Sequence, residues 1–251
     1  EGGGPPVTSM YGYWMAVNNA ACSRIDFAND TQAQQSKGTI SVHRRQFGAT
    51  GNADYGYGSG GRVPAPQYST TDRMTYANDT AAMVIKGPLT IERYDVTGVG
   101  NANYGYFCGG YHNHTCVDRL DYASDSTLMV RKGDLPYGWY DSGGTGTQDY
   151  GYLFGGRTYY QELLRIDYSS DTSAAPSRIS PATPGSREGN AGTGDTTYAY
   201  FCGGGGPGSS TRSTTSRITY ANDTATELPK GPIFYQRGVA GVTGKGYGYY
   251  G

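Results

Sequence analysis

A chain of 251 residues with 16% charged residues and a formal net charge of -1 carries no concentrated basic face, which argues against nucleic-acid binding through phosphate neutralisation. No apolar run reaches the length of a membrane-spanning helix, so membrane insertion is not expected. With 25 Tyr and 41 Gly, the composition suits short strands joined by tight turns, because aromatic side chains fit a pleated surface and Gly supplies positive φ; long helices are not expected.

The chain opens on Glu1-Gly2-Gly3-Gly4, with neither Met nor a signal-like apolar segment, and so reads as processed, trimmed or cut from something longer. Residues 1–10 read as a linker or degenerate strand, and residues 11–251 as a single domain. Tyr11-Gly12-Tyr13-Trp14 is the first copy of a strand that returns at Tyr55, Tyr104, Tyr150, Tyr198 (as Tyr-Ala-Tyr) and Tyr247. Four copies run into a Gly pair, at Gly60-Gly61, Gly109-Gly110, Gly155-Gly156 and Gly203-Gly204. Alternation puts both tyrosines on one face with Gly between them, as in a strand that lies close to another backbone. No helix-forming segment follows the Gly runs, so they are strand ends rather than phosphate cradles.

A second ruler follows each of these strands. It is an Arg with an aromatic three residues on, Asp six on and Thr or Ser seven on: Arg24/Phe27/Asp30, Arg73/Tyr76/Asp79, Arg119/Tyr122/Asp125, Arg165/Tyr168/Asp171 and Arg217/Tyr220/Asp223. Successive arginines lie 49, 46, 46 and 52 residues apart (73−24, 119−73, 165−119, 217−165). A period of this size is that of propeller blades, and the amphipathic helices of a helical solenoid are missing. Asn, Asp and Ser after the ruler are turn chemistry, which also accounts for the Asn-x-Thr triplets at Asn29, Asn78 and Asn222; a fourth lies at Asn113. Fourth-strand candidates end at Lys-Gly over residues 81–87, 127–133 and 225–231, and first-strand candidates cover residues 93–100 and 237–244. Each unit therefore supplies about four short strands, the content of one blade.

On these residues the chain resembles kelch-type β-propellers. The matching features are an Arg ahead of the first strand (Arg45, Arg93, Arg187, Arg237), the Gly pair closing the second and the aromatic-then-turn of the third. The pattern departs where kelch repeats place a Trp, since Gln34, Met83, Met129, Ala175 and Glu227 stand there. The wording Tyr-Gly-Tyr-Phe-x-Gly-Gly with Arg-Ile-Asp-Tyr-Ala-Asn-Asp-Thr is similar to Tyr/Gly-rich repeat proteins of marine bacteriophages, cyanophages especially. That resemblance implies a virion or extracellular location, partners among other virion or surface proteins or a host glycan, and no catalytic residues. The expected fold is an all-β, kelch-like β-propeller of five four-stranded blades, closed by residues 237–244 beside residues 11–14 and leaving residues 247–251 as an overlapping tail. The alternative is six blades with part of the chain missing.

Candidate chemistry is sparse. Cys108 and Cys116 flank one hairpin loop, where strand pairing allows a disulfide; the alternative is that all four cysteines, with Cys22 and Cys202, are buried thiols. His112, His114 and Cys116 share a loop, but only His43 remains elsewhere, and a metal needs three or four converging ligands, so neither metal nor cofactor is expected. The ruler Arg and Asp residues recur in every unit, unlike a catalytic set, and are read as structural ties through the planar guanidinium fork. The loops between second and third strands, residues 17–21, 62–70, 111–115, 157–161 and 205–215, vary in length and composition, and recognition usually resides on such loops. Tyr68, Tyr111, His112, His114, Tyr159 and Tyr160, with Trp139 in a joining segment, are the ligand-binding candidates. The expected function is a non-enzymatic structural or adhesion module that binds protein or glycan through loop aromatics. Its rival is a propeller enzyme, a copper oxidase or a glycan hydrolase, the latter needing paired carboxylates that no unrepeated pair announces.

Overall fold

The computed structural model describes residues 11–15, 20–156, 163–170, 178–179, 187–206, 211–234, 241–244 and 247–250. The chain is an all-β, five-bladed propeller of small antiparallel sheets in a ring. The first blade holds β1 (Tyr11–Trp14), β2 (Ala21–Asp26) and β3 (Gln35–Thr39), and the second β4 (Gly48–Gly51), β5 (Tyr55–Ser59), β6 (Thr71–Thr75) and β7 (Val84–Lys86). The third holds β8 (Thr97–Gly100), β9 (Tyr104–Cys108), β10 (Cys116–Asp121) and β11 (Val130–Asp134), and the fourth β12 (Gly143–Gly146), β13 (Tyr150–Phe154), β14 (Leu163–Asp167) and β15 (Arg178–Ile179). The fifth holds β16 (Ala191–Gly194), β17 (Tyr198–Cys202), β18 (Thr215–Thr219) and β19 (Leu228–Lys230), and a hairpin of β20 (Gly241–Gly244) and β21 (Tyr247–Tyr250) comes after it. β20 lies against both β16 and β1, so the two ends of the chain close the ring together. The last Tyr-Gly-Tyr copy is therefore a strand paired with β20 rather than an overlapping tail.

Local chemistry sets these strands. Before the Tyr-Gly-Tyr strands of the second to fifth blades a polar side chain caps the turn: Asn52 Oδ1 accepts from the N–H groups of Asp54 and Tyr55, and Asn101, Thr147 and Asp195 do the same in the next three blades. After the ruler strand, Asp26, Asp121 and Asp167 each accept from the amide two residues on, the Asx turn that ends the strand. Neighbouring first strands approach so closely that a Cβ on Gly98 would fall 2.3 Å from the Ala49 carbonyl oxygen, and one on Gly192 2.5 Å from that of Gly144. The first strands are shorter than residues 93–100 because Gln46, Asp95 and Asp141 adopt left-handed backbone (φ 61°, 55° and 61°) two residues before each strand starts. The fourth strands are likewise trimmed to their last residues.

Four residues ahead of each first strand stands a buried side chain that ties its blade together. Arg93 is fully buried, donating to the Gly109 and Phe107 carbonyls at 2.7 and 3.1 Å and pairing with Asp118 at 2.8 Å. Arg44 repeats this with Gly60, Gly58 and Asp72, and Arg187 with Gly203, Phe201 and the Ser216 hydroxyl. The spine residue of the second blade is thus Arg44, not Arg45, which is exposed; Arg237 lies outside the described residues. In the fourth blade the place belongs to Trp139, and Leu164 takes the position of Asp118, the two packing in one apolar cluster. One blade has therefore exchanged a buried ion pair for two apolar side chains, an exchange that is often nearly neutral because it removes two desolvated charges together. Arg93→Trp or Asp118→Leu alone strands its partner and should cost about 3–5 kcal/mol. Urea unfolding of Arg93→Trp with Asp118→Leu should show a loss at least about 2 kcal/mol smaller than the sum of the single losses; strict additivity would contradict the exchange.

Candidate functional site

The ruler residues meet across blades rather than within them. Arg24 pairs with Asp79 at 2.7 Å, Arg73 with Asp125 at 2.8 Å and Arg165 with Asp223 at 2.6 Å, each aspartate belonging to the next blade. The same carboxylate oxygen accepts the hydroxyl of the second tyrosine of Tyr-Gly-Tyr, from Tyr13, Tyr57 and Tyr152 at 2.9, 2.9 and 2.8 Å. Lys37 and Lys86 from the fourth strands reach the other oxygen of Asp79 and Asp125. The guanidinium lies over the first tyrosine of its own blade, 4.0 Å from the ring centre for Arg24 on Tyr11 and 4.2 Å for Arg119 on Tyr104. The second tyrosine stacks on the ruler aromatic of the next blade: Tyr13 on Tyr76, Tyr57 on Tyr122 and Tyr106 on Tyr168.

One ruler aspartate stands in a different setting. Asp30 is exposed where Asp79, Asp125 and Asp223 are buried. Asp171, the counterpart of Arg119, lies outside the described residues.

Several candidate residues stand elsewhere than the sequence suggests. Trp139 is buried in the spine and offers no surface for a ligand. Cys108 and Cys116 are separate buried thiols rather than a disulfide, because Val117 is the residue opposite Cys108 and strand alternation turns Cys116 to the other face of the sheet. Cys116 is buried while His112 is exposed in left-handed backbone (φ 69°), so the His-x-His-x-Cys loop does not converge; among the described residues no three His, Cys, Asp or Glu side chains are placed to hold a metal ion. His114 is half-buried, and burial, then the charge of Arg93, holds its imidazole below the ordinary range. Tyr68 is half-buried and donates its amide to the Gly61 carbonyl. Tyr159 and Tyr160 lie outside the described residues.

The structure brings Tyr111 and His112 into a larger cluster around the buried Tyr94. The loop between second and third strands lies beside the spine segment of its own blade, through Arg62 with Arg45, Tyr111 with Tyr94 and Gly205 with Glu188. From this alignment the Arg62 guanidinium stands 4.0 Å over the Tyr94 ring, Tyr94 stacks on Tyr111 at 4.8 Å, and Tyr111 meets Tyr140 edge-on at 5.2 Å, with His112 packed against Tyr111. The ladder runs over the second, third and fourth blades. Beside it, Arg62 donates to the Gln46 side-chain oxygen and Gln46 to Asp95 Oδ1, both at 2.7 Å. Backbone bonds from Asp95 to Gln46, Asp141 to Asp95 and Gly189 to Asp141 carry this belt around the ring. Tyr94, Tyr140, Gln46, Asp95 and Asp141 were not among the sequence candidates; their signal is the fixed offset of one or two residues after the spine position.

The interface carboxylates give the fold a pH signature. Burial opposes ionisation of Asp79 and Asp125, but hydrogen bonds from Tyr13 or Tyr57 and the adjacent Arg and Lys outweigh it and hold both carboxyls below 3.8. Burial, then the bond to Asp79, raises the Tyr13 hydroxyl from 10.0 to about 12, and Tyr57 and Tyr152 move further the same way. The lowered carboxyls contribute stability that is present above pH 3.8 and lost as pH falls through their folded values. The raised tyrosines contribute stability that is complete below pH 10.0 and lost as pH rises toward about 12. Urea midpoints should therefore be flat from about pH 5 to about pH 9 and fall on both sides; a midpoint still rising below pH 4 or above pH 10 would contradict the pairing.

No protein-family model matches the chain, and no curated protein matches it in sequence.

Proposed function

We propose that the chain is a non-enzymatic recognition propeller, a structural or adhesion module that binds a protein or a glycan through its loop aromatics. The observation that carries this reading is the ladder of Arg62, Tyr94, Tyr111 and Tyr140. It breaks the repeat, since Arg45 and Glu188 stand where the third and fourth blades have Tyr94 and Tyr140. Tyr94 is buried under Tyr111, and the half-buried Tyr111 and Tyr140 rings suit the C–H face of a sugar ring or an apolar side chain, with the Gln46 and Asp141 side chains suited to hydroxyls and amides. A place on a virion or another extracellular surface, with virion or surface proteins and host glycan as partners, is supported by the resemblance of the Tyr-Gly-Tyr wording to cyanophage repeat proteins.

A second reading, a glycan hydrolase, is favoured by one observation, that Asp95 and Asp141 occupy equivalent positions in adjacent blades, joined by a backbone hydrogen bond. Glycan-array and surface-protein binding separate the two. The recognition reading predicts reversible binding without turnover, lowered about tenfold by Tyr111→Ala or Tyr140→Ala with the fold retained by circular dichroism. Binding indifferent to both variants would overturn it, and turnover abolished by Asp95→Asn or Asp141→Asn would install the hydrolase.

A further inference from the structure

One cross-strand pair beside the aromatic ladder carries a cost that the repeat does not impose. Arg45 and Arg62 exchange both backbone hydrogen bonds, each at 2.9 Å, so they stand directly opposite one another and their side chains leave the same face. Like charges placed in this way repel. The equivalent pairs escape the repulsion, since Tyr94 faces Tyr111 in the third blade and Glu188 faces Gly205 in the fifth. The spine position of the second blade is already filled by Arg44, which is buried and paired with Asp72 at 2.6 Å; Arg45, next to it, is a second guanidinium and is exposed. Arg62 is held in place, its guanidinium over the Tyr94 ring and its Nε donating to Gln46 at 2.7 Å. Gln46 in turn donates to the buried Asp95, and Asp141 follows Tyr140 at the far end of the ladder. Charge therefore runs along the ladder from two guanidinium groups at the second blade to carboxylates at the third and fourth.

We propose that the ladder receives an acidic glycan, whose carboxylate or sulfate is held by Arg45 and Arg62 while the neutral sugar next to it lies on Tyr111 and Tyr140. This rests on the recognition reading and names the ligand class for it. The guanidinium fork matches the oxygens of either acid group, and an anion set between the two arginines turns their mutual repulsion into attraction. The Tyr111 and Tyr140 rings meet at 81°, forming a corner whose faces suit the C–H surface of a sugar ring. Asp141 then decides between a sugar and an acidic peptide. A run of acidic side chains would bring negative charge onto this carboxylate, whereas a glycan with one acid group brings hydroxyls that donate to it.

The test titrates the full chain with two labelled oligosaccharides that carry an acid group on every second sugar, a hyaluronan and a κ-carrageenan hexasaccharide, beside their carboxyl-reduced and desulfated counterparts and a decaglutamate peptide. At least one acidic form should bind about tenfold more tightly than its neutral counterpart at low salt, an advantage that shrinks as salt is raised. Arg45→Ala should remove that difference and at the same time raise the urea midpoint, because it relieves the like-charge pair. A side chain kept for the fold would lower the midpoint instead, and that result would count against the proposal. Tyr111→Ala should weaken acidic and neutral forms alike. Equal binding of the two forms, both weakened by Tyr111→Ala, would overturn the acidic ligand and leave the recognition reading standing; rejection of every sugar would overturn both. Capture of decaglutamate in preference to the sugars would replace the glycan by an acidic protein segment, and an acidic preference indifferent to Arg45→Ala would remove the arginine pair from the site.

Discussion

A carboxylate shared between two blades is the interaction on which the ring depends. Asp79, Asp125 and Asp223 are each no more than 7% exposed, a position that would drive a lone carboxyl to its neutral form. The preceding blade surrounds each with a guanidinium and a phenol, and Asp79 and Asp125 with an ammonium as well, and these last two are held in the charged form. None of these blades satisfies its own aspartate, so they are stable as neighbours and not as separate units. The period of the sequence is the imprint of this requirement. Arg, two tyrosines, an aromatic and Asp recur together because each finished interface draws members from two successive copies.

A second layer works inside each blade. The spine side chain turns back onto the Gly pair of its own sheet, while its carbonyl accepts an amide from a Gly pair, as Gly61 N–H donates to Arg93 and Gly110 N–H to Trp139 across to the next blade. The left-handed Gly109 belongs to this contact: a Cβ there would stand 1.9 Å from the Trp139 carbonyl oxygen. What the spine side chain must do is fill space and avoid a stranded charge, which is why Trp139 over Leu164 serves where Arg93 over Asp118 serves elsewhere. The tie between blades is less open to such exchange, since its partners come from two sheets. With scaffold residues committed in this way, the loop side chains around Tyr111 are released to differ from blade to blade.

Much of the architecture could be read from the sequence, because strand alternation, Gly pairs and turn residues act over a few positions. The rulers marked the third strands, and the Tyr-Gly-Tyr copies marked the second. What could not be read was pairing at long range. Arg73 and Asp125 are 52 residues apart, and the nearer Asp79 offers identical chemistry, so only the packing of one sheet on the next decides between them. Arg44 and Arg45 are adjacent and alike, and the choice between them rests on the four-residue offset to the first strand, which also exposes Trp139 as a spine residue rather than a surface aromatic. Cys108 and Cys116 failed as a disulfide by a single step of register, a quantity that loop length does not fix. The ladder at Tyr94 and Tyr140 was hidden because its members come from joining segments of different blades.

Asp79, Asp125 and Asp223 tie to the arginine of the preceding blade and not to their own. A pair of double-mutant cycles on the urea stability of the chain tests it, one coupling Arg73→Ala with Asp125→Ala and the other coupling Arg73→Ala with Asp79→Ala. A coupling of about 1 kcal/mol or more in the first cycle and close to none in the second is the result required. Coupling confined to Arg73 and Asp79 would contradict the ring as described.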